Sequence, residues 1–354
     1  MSSSHRSVDS LASTVAEKSY KTKCYVMSSG MASHLLSTRP GMSYQRTIRR
    51  QVSVEGIGLH SGEPVKLTLS PAAADTGILF RAADGTLVPA DIEHVVDGRA
   101  ATTVGAFGVR VRTIEHLMAA AAALGIDNFV ADVSAEEVPA LDGSAKPFVD
   151  LLYSAGTVTL PVPRRAVTVR EPVRVGDGNR WLEITPSDVF RITYTLDNPH
   201  PVVGCQVVTL DVSESVFVDE LAPARTYGFL KDVAAMRKNG LARGGSLDNA
   251  VVVGKRSVLN DSLRFEDEFV RHKMLDLVGD LWLLGRPLTG HITARNAGHA
   301  LNHELVAAMM DALAAERRQR VARPQTQTAG TLAGRLERLV PGNGLSPHPG
   351  IAAL

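Results

Sequence analysis

The central part of the chain alternates strand and helix patterns in two similar halves, and this order constrains the fold more than any other feature of the sequence. In the first half, residues 50–69 alternate as a β-hairpin does, 76–112 contain further short strands, and 113–124 have the pattern of a helix. The second half repeats this order after a break at Pro161–Pro163. The chain therefore predicts two successive units that each combine strands with helices.

The second half contains the longer series of predicted elements. Its strands are predicted around 166–173, 180–185, 190–196 and 289–294. A mixed segment at 224–253 and a helix at 266–284 precede the last of these strands, and a closing helix is predicted at 300–316. The helix at 266–284 carries the side chains on which the functional interpretation depends.

The two ends differ in composition from the middle. Residues 1–41 are rich in Ser and have no sustained apolar period, so we predict a disordered N-terminal extension there. A transit peptide is the alternative, which Asp9, Glu17 and the lack of a clean amphipathic helix weaken. A Gln/Thr stretch and a Pro/Gly-rich end predict a mobile C-terminal tail at 317–354. The two predicted domains are then 42–162 and 163–316.

Composition excludes several classes of protein. The net charge of the 354 residues is only +1, which argues against a nucleic-acid binder that relies on bulk charge. Only two cysteines occur, Cys24 and Cys205, so no disulfide framework is implied, and a reducing cytoplasm is the expected compartment. No run approaches the about 18 consecutive apolar residues of a membrane span. We expect a monomer without an integral membrane segment.

A histidine and an aspartate on one predicted helix suggest a metal site. His272 and Asp276 are four residues apart, so they lie about 40° apart on one helix face and can approach the same ion. His116 is the best candidate for a third ligand, and its neighbour Glu115 supplies a carboxylate that can accept a proton from water. Two nitrogens and one oxygen suit zinc, and three protein ligands leave a coordination position open, as in catalytic sites.

Each of these residues also has a simpler interpretation. A His and an Asp at this spacing are usually a solvated or salt-bridged pair. A lone His in an apolar helix such as 113–124 is more often a core residue with satisfied hydrogen bonds than a ligand. The residues alone leave both interpretations open, although the helix at 266–284 gathers its functional groups on one polar face.

Six segments, in order along the chain, carry recognisable motifs. They are V-E-G-I-G-L-H-S-G (54–62), T-I-E-H-L-M-A-A (113–120), L-D-G-S-A-K-P-F (141–148), A-R-T-Y-G-F (224–229), L-R-F-E-D-E-F-V-R-H-K-M-L-D (263–276) and G-H-A-L-N-H-E-L (298–305). Together they resemble the family of UDP-3-O-acyl-N-acetylglucosamine deacetylases, the zinc amidohydrolases of lipid A synthesis. The resemblance covers about residues 44–316.

The resemblance implies a fold and a set of catalytic residues. The fold is α+β, with two domains of similar topology, each a two-layer α/β sandwich, packed through their helices with the active site in the interdomain cleft. One Zn²⁺ ion is expected on His116, His272 and Asp276. Glu115 is then the general base, and Asp280 is the partner of a protonated His299, which stabilises the oxyanion or protonates the leaving amine. Thr226 resembles the threonine that helps to hold the tetrahedral intermediate.

The implied reaction is hydrolysis of the N-acetyl group of UDP-3-O-acyl-N-acetylglucosamine, which releases acetate. Lys273 is the residue expected to meet the phosphates or the sugar of this UDP-linked substrate. Within 224–253, the segment 240–253 resembles the family's passage for the acyl chain, with Gly244, Ser246, Leu247 and Ala250 as expected binding residues. His60 and Asp142 are in recognisable motifs, but turn formation explains both.

Two positions depart from the family pattern at the nucleotide end. Asn296 stands where a lysine is common, and Asn198 stands where many members have a stacking aromatic residue; Arg295 is the candidate replacement. Two alternative functions also remain. A zinc amidohydrolase for a different acylated amino sugar would share every catalytic residue, and a non-catalytic binding protein on the same scaffold would lack the metal.

Overall fold

The structure is a computed structural model that describes residues 26–28 and 43–322. The described chain up to Met310 forms one compact unit, and the last turns of the final helix, from Asp311, belong to a second. The strands are β1 (Val26–Ser28), β2 (Tyr44–Ile48), β3 (Val52–Ile57), β4 (Pro64–Pro71), β5 (Ile78–Arg81), β6 (Leu87–Pro89), β7 (Val95–Asp97), β8 (Thr103–Ala106), β9 (Val109–Val111), β10 (Phe129–Val133), β11 (Thr157–Pro163), β12 (Val167–Thr168), β13 (Val173–Asp177), β14 (Arg180–Thr185), β15 (Phe190–Asp197), β16 (Cys205–Asp211), β17 (Tyr227–Phe229), β18 (Val251–Val253) and β19 (Leu288–Arg295).

The α-helices are α1 (Glu115–Ala123), α2 (Lys146–Ala155), α3 (Glu214–Val216), α4 (Leu230–Lys238), α5 (Glu268–Leu281) and α6 (His299–Ala322). Two 3₁₀ turns, Ile92–His94 and Trp282–Leu284, and one π-turn, Phe217–Leu221, complete the described elements. This mixture of sheets and helices is consistent with the α+β class.

The first half of the chain forms a five-stranded sheet in the order β3-β4-β10-β5-β6. The predicted hairpin is its antiparallel β3–β4 pair, in which Val52 faces Leu69 and Ile57 faces Pro64. Val65, Leu67 and Leu69 are buried while Lys66 is exposed, which is the period-two pattern of a strand with one covered face. The two-stranded sheet β2–β11 and the three-stranded sheet β7–β8–β9 are separate.

The second half forms a mixed sheet in the order β1-β16-β15-β19-β14-β13, with β12 paired to β19. Its centre is the parallel pair β15–β19, and β14 and β16 flank that pair in antiparallel register. The single strand predicted at 166–173 is two strands, β12 and β13. Pro172 lies between them, where its missing N–H cannot continue a ladder.

Short parts of both predicted tails lie in described elements. Within the predicted extension 1–41, Val26–Ser28 pairs in parallel with Val207–Thr209. The closing helix predicted at 300–316 begins at His299 and continues through Ala322. The rest of the predicted extension and of the C-terminal tail lies outside the described residues.

The helix that carries His272 is buried on every side. Thirteen of the fourteen residues of α5 are buried, because it packs on β15 and β16 and also on α1. The predicted polar face is therefore not a solvated one, and each of its charged groups needs a partner. The helix ends earlier than the predicted 284, at Leu281, where a 3₁₀ turn leads to Gly285 in the left-handed conformation.

A glycine permits the close approach of α5 to α1. A Cβ atom on Gly279 would lie 2.0 Å from the carbonyl oxygen of Glu115 and 3.1 Å from the backbone nitrogen of Ala119. No side chain fits in this space, so the two backbones are in direct contact. The contact brings the residues that begin α1 beside the last turns of α5.

Candidate metal centre and its surroundings

Helix α1 begins with the two residues predicted as base and ligand. Glu115 and His116 are both 4% exposed, and they follow Thr113, whose φ of 59° turns the chain sharply into the helix. Adjacent residues on a helix point about 100° apart, so the two side chains take different directions. The imidazole meets Asp276 and the carboxylate lies beside His299.

Three predicted ligands come together in the interior. The Nε2 atoms of His116 and His272 lie 3.6 Å and 3.3 Å from Oδ1 of Asp276, and the three candidate ligand atoms lie within 4.8 Å of one another. These distances suit three ligands around one ion rather than direct hydrogen bonds. Among the described residues this is the one group of three or more such side chains whose spacing suits a metal ion.

The donor atoms of this group are available to an ion. Nδ1 of His272 lies 3.1 Å from the carbonyl oxygen of Ala224, so it donates there and leaves Nε2 without a proton. Burial lowers the pKa of His272 to about 3, which keeps the ring neutral. Oδ1 of Asp276 is buried and has no hydrogen-bond partner in the described part of the chain. A buried carboxylate oxygen without a partner is costly, and a cation would satisfy it.

Lys273 binds the other oxygen of the same aspartate. Its Nζ atom donates to Oδ2 of Asp276 at 2.7 Å and lies 6.0 Å from the ring centre of Tyr227. Burial alone would lower the pKa of Lys273, but the Asp276 carboxylate raises it above its ordinary value. Burial also opposes ionisation of Asp276, yet the charged Lys273 holds the pKa of its carboxyl well below the usual range. The carboxylate is therefore charged and fixed in orientation.

Glu115 approaches the group without joining it. Its Oε2 atom accepts a hydrogen bond of 3.0 Å from the backbone N–H of Thr102, and Oε1 lies 3.8 Å from Nε2 of His299. Burial raises the pKa of Glu115, although the positive charge of His299 opposes that rise. A carboxyl with a raised pKa, beside a metal site, is suited to accept a proton from water.

His299 and Asp280 form a buried pair. Nδ1 of His299 donates to Oδ2 of Asp280 at 2.8 Å, and Asn302 donates to the same oxygen at 2.7 Å. Burial would lower the pKa of His299, but Asp280 raises it to about 9. Burial would raise the pKa of Asp280, but His299 lowers it below the ordinary range. The imidazole is thus protonated at neutral pH and directs Nε2–H toward Glu115.

Three side chains around this pair were not identified from the sequence. The hydroxyl of Thr102 lies 2.5 Å from Oδ1 of Asp280 and 2.9 Å from Nε2 of His303, and Asn302 completes the shell. Asn302 and His303 follow His299 on α6, so the spacing i, i+3 and i, i+4 is a signal that could have found them. Thr102 gives no such signal.

A cavity of about 130 Å³ lies beside Thr226. The predicted acyl-binding residues Ser246 and Ala250 line it, together with Gly245, Val252 and His60. Gly244 and Leu247 are not in its wall. A Cβ on Gly244 would lie 2.2 Å from the carbonyl oxygen of Gly58, so this glycine permits contact between two loops rather than space for a ligand.

His60 is more than a turn residue. It is 4% exposed, and its Nδ1 atom accepts a 3.3 Å hydrogen bond from the backbone N–H of Ala242, which leaves the proton of the neutral ring on Nε2. That Nε2 atom has no partner in the described chain. Asp142 does form a turn, because it accepts from Ser144, and it also pairs with Arg264 at 2.9 Å.

The two departures from the family pattern have local structural roles. The side chain of Asn198 accepts from the N–H of His200 in the turn between β15 and β16. Asn296 has a φ of 45°, which asparagine tolerates, and it accepts from the N–H of Asp197. Arg295 pairs with Asp197 at 2.5 Å, so its guanidinium already has a carboxylate partner.

A second cavity, of about 420 Å³, is larger but lies apart from this chemistry. Its walls include Arg164, Asp127 and Trp282, and none of the predicted site residues lines it. Size alone therefore does not identify the candidate site.

No helix in the described part of the chain combines the length and the apolar character needed to cross a bilayer.

Most of this chain is similar in sequence to known proteins. The family model described as UDP-3-O-acyl N-acetylglycosamine deacetylase matches residues 45–311. A protein of Myxococcus xanthus named UDP-3-O-acyl-N-acetylglucosamine deacetylase is 50% identical over 276 residues, which is 77% of this chain and 88% of that protein. Proteins of the same name from Syntrophotalea carbinolica and Acidithiobacillus ferrooxidans are 48% and 46% identical, over 75% and 76% of this chain and 87% and 90% of their own lengths. The chain belongs to the UDP-3-O-acyl-N-acetylglucosamine deacetylase family.

Proposed function

We propose that this protein hydrolyses the N-acetyl group of UDP-3-O-acyl-N-acetylglucosamine and yields UDP-3-O-acyl-glucosamine and acetate. The observation that carries the proposal is the buried group His116, His272 and Asp276, with an unpartnered carboxylate oxygen, directly beside Glu115 and His299. The names of the relatives support the choice of substrate. Within the family this reaction commits its product to lipid A synthesis.

We propose that the three ligands hold a single zinc ion. Two imidazole nitrogens and one carboxylate oxygen are a donor set that zinc prefers, and three protein ligands leave a position for substrate or water. A zinc ion bound there would supply a Lewis acid that polarises the amide carbonyl and lowers the pKa of a water molecule. Lys273 keeps Oδ2 of Asp276 occupied, so Oδ1 remains the ligand atom.

The side chains divide the remaining work of amide hydrolysis. The Oε1 atom of Glu115 accepts the proton of the attacking water, whose oxygen forms the new bond to the carbonyl carbon. The hydroxyl of Thr226 donates a hydrogen bond to the oxyanion of the tetrahedral intermediate and keeps its proton. As the C–N bond breaks, Nε2–H of His299 protonates the departing nitrogen, because Nδ1–H is held by Asp280. The proton taken by Glu115 and the proton given by His299 balance the reaction.

We also propose that the chain forms two α/β sandwiches, 42–162 and 163–316, packed through their helices with the site in the cleft. The contact between α1 and α5 supports this arrangement, as does the separation of the two main sheets along the chain. The disordered extension and the mobile tail stay predictions, and most of their residues lie outside the described part of the chain. A monomer and a cytoplasmic location also stay predictions, as does a role for Lys273 toward the substrate.

Detection of released acetate tests the proposed function. Purified protein is incubated with UDP-3-O-acyl-N-acetylglucosamine and the mass of the nucleotide sugar is followed, with and without a chelator. We expect chelator-sensitive loss of one acetyl group. A zinc-loaded protein that deacetylates only another acylated amino sugar would favour the first alternative. A protein that binds the nucleotide sugar, holds no metal and releases no acetate would favour the binding protein.

The pH dependence of kcat/KM should form a bell. Because the pKa of Glu115 is raised by burial, activity should rise with pH through that raised value as the base loses its proton. Burial would lower the pKa of His299, but Asp280 raises it to about 9. Activity should therefore fall as the pH rises through about 9, because His299 then loses the proton that it donates. Profiles of wild type, Glu115→Gln and His299→Gln measure the two limbs. A basic limb that persists unchanged in His299→Gln would contradict the assignment of the acid.

Bulk added to the 130 Å³ cavity should discriminate between acyl chains by length. The cavity is smaller than the roughly 300 Å³ or more of a typical ligand pocket, so it holds only part of a long chain. Ala250→Phe and Ser246→Phe should therefore lower kcat/KM for long-chain substrates about tenfold or more relative to short-chain ones. Leu230→Phe, at an exposed position outside the cavity wall, is the matched control. An equal loss for every chain length would mean that the acyl chain binds elsewhere.

A further inference from the structure

One buried residue makes hydrogen bonds to both carboxylates that flank His299. Thr102 is 1% exposed and immediately precedes β8. Its backbone N–H donates to Oε2 of Glu115, which begins α1, and its hydroxyl contacts Oδ1 of Asp280 in the last turn of α5. The two carboxylates belong to different helices, so Thr102 links α1 to α5 by hydrogen bonds.

The direction of each proton in this network follows from its partners. The ionised Asp280 only accepts, and it takes hydrogen bonds on Oδ2 from His299 and from Asn302. The single hydroxyl proton of Thr102 therefore points to Oδ1. Its oxygen is left to accept from Nε2 of His303, 2.9 Å away, which assigns the proton of that ring to Nε2. The chain of donors runs from His303 through Thr102 to Asp280.

This arrangement decides which oxygens face His299. With Oε2 of Glu115 held by Thr102, Oε1 is the atom that lies 3.8 Å from Nε2 of His299. With Oδ1 of Asp280 held by the hydroxyl, Oδ2 is the atom that lies 2.8 Å from Nδ1. A rotation of either carboxylate would break a bond to Thr102, and an unsatisfied buried donor or acceptor is costly.

We propose that Thr102 is a positioning residue that sets the relative orientation of the proton acceptor Glu115 and the proton donor His299. This inference rests on the proposed deacetylase function. The threonine does not touch substrate, and it acts through the two carboxylates. The backbone N–H of Thr102 holds Glu115, and its hydroxyl holds Asp280, the partner of His299. A side-chain substitution therefore disturbs the Asp280–His299 pair and keeps the backbone bond to Glu115.

Thr102→Val and Thr102→Ser test the proposal on the full-length zinc-loaded protein. Valine keeps the shape and the backbone N–H but removes the hydroxyl that binds a charged partner. We expect kcat to fall about 10- to 100-fold, with KM within about twofold of wild type and zinc content unchanged. Serine keeps the hydroxyl and should restore kcat to within about threefold of wild type. Thr103→Val, the same change at the next residue, is the matched control.

An NMR measurement makes the test independent of turnover. The Nδ1–H proton of His299, assigned by its loss in His299→Gln, reports the hydrogen bond to Asp280. It should shift in Thr102→Val and keep its position in Thr102→Ser and Thr103→Val. If Thr102→Val does not fold, His303→Leu and His303→Gln replace it. Leucine removes the donor to the hydroxyl and should lower kcat about two- to tenfold, and glutamine should restore it.

The outcomes separate this inference from the proposed function. Wild-type protein that releases no acetate would overturn the function, whatever the variants do. Active wild type together with a folded Thr102→Val protein of normal kcat and unshifted His299 signal would overturn the role of Thr102 alone. A serine variant as impaired as the valine variant would also overturn it, because the loss would then follow the side-chain shape rather than the hydroxyl.

Discussion

Glu115→Ala is expected to lower kcat by about 10²- to 10⁴-fold and to leave the zinc content of the protein unchanged. Turnover and zinc binding depend on different residues in the structure. The Glu115 carboxylate is bound by Thr102 and faces His299, whereas the Nε2 atoms of His116 and His272 face Oδ1 of Asp276. Glu115→Gln should give a similar loss, since the amide keeps the shape but cannot accept the proton. Steady-state kinetics and metal analysis of the same preparations measure both effects.

Glu304→Ala is the control, because Glu304 is exposed and does not contact Glu115, His299 or the metal group. A Glu115→Ala protein without zinc would make Glu115 a ligand or a structural residue. A zinc-loaded Glu115→Ala protein with normal turnover would remove it from the mechanism.

Replacement of any one ligand by alanine is expected to remove zinc and activity together. His116→Ala, His272→Ala and Asp276→Ala each leave two protein donors, so zinc affinity should fall by more than the about 10- to 100-fold lost when only a supporting residue is changed. Activity should fall to that of chelated wild type. Zinc content and acetate release, both measured after dialysis against a buffered zinc concentration, check the expectation.

His94→Ala is the matched control, because His94 pairs with Asp91 outside the metal group. The contrast between His116→Ala and Glu115→Ala is the most informative, since the two residues are adjacent on one helix and should fail in different ways. Retention of wild-type zinc content by His116→Ala, with loss of activity, would require another third ligand.

The metal group could be anticipated from the sequence because two of its members are close along the chain. His272 and Asp276 are one helical turn apart, and periodicity alone indicates that they share a face. Periodicity gave no reason to join them to His116, more than 150 residues earlier; only the motif resemblance linked them. The same holds for His299 and Asp280, whose 2.8 Å contact joins α6 to α5.

The network around Thr102 could not be predicted in the same way. Its hydroxyl contacts a residue 178 positions away, and a threonine before a strand is ordinary in composition and spacing. The packing of Gly244 could not be predicted for a related reason: the sequence shows that a glycine has no side chain, but it does not show that the backbone of Gly58 fills the space beside it. His60 was assigned to a turn because sequence gives no measure of a missing hydrogen-bond partner.

Tertiary contacts also changed several predicted elements. The helix α2 was not predicted, since its residues were treated only as part of a motif, yet Phe148, Val149 and Leu152 on it are fully buried. The edge strand Val26–Ser28 has no apolar period of its own, and it forms only by adding to the existing edge of β16.

The two helices that cross at Gly279 carry different parts of the site. His272, Asp276 and Asp280 lie on α5, and the Arg225–Glu268 ion pair ties the segment that carries Thr226 to the same helix. Glu115 and His116 lie on α1 instead. A change in the distance between the two backbones at Gly279 would therefore alter the ligand geometry and the acceptor–donor spacing together, and it would strain the hydrogen bonds of Thr102 to both helices. Substitutions that alter turnover without touching the site should concentrate at this crossing, where Ala119 is the nearest small residue.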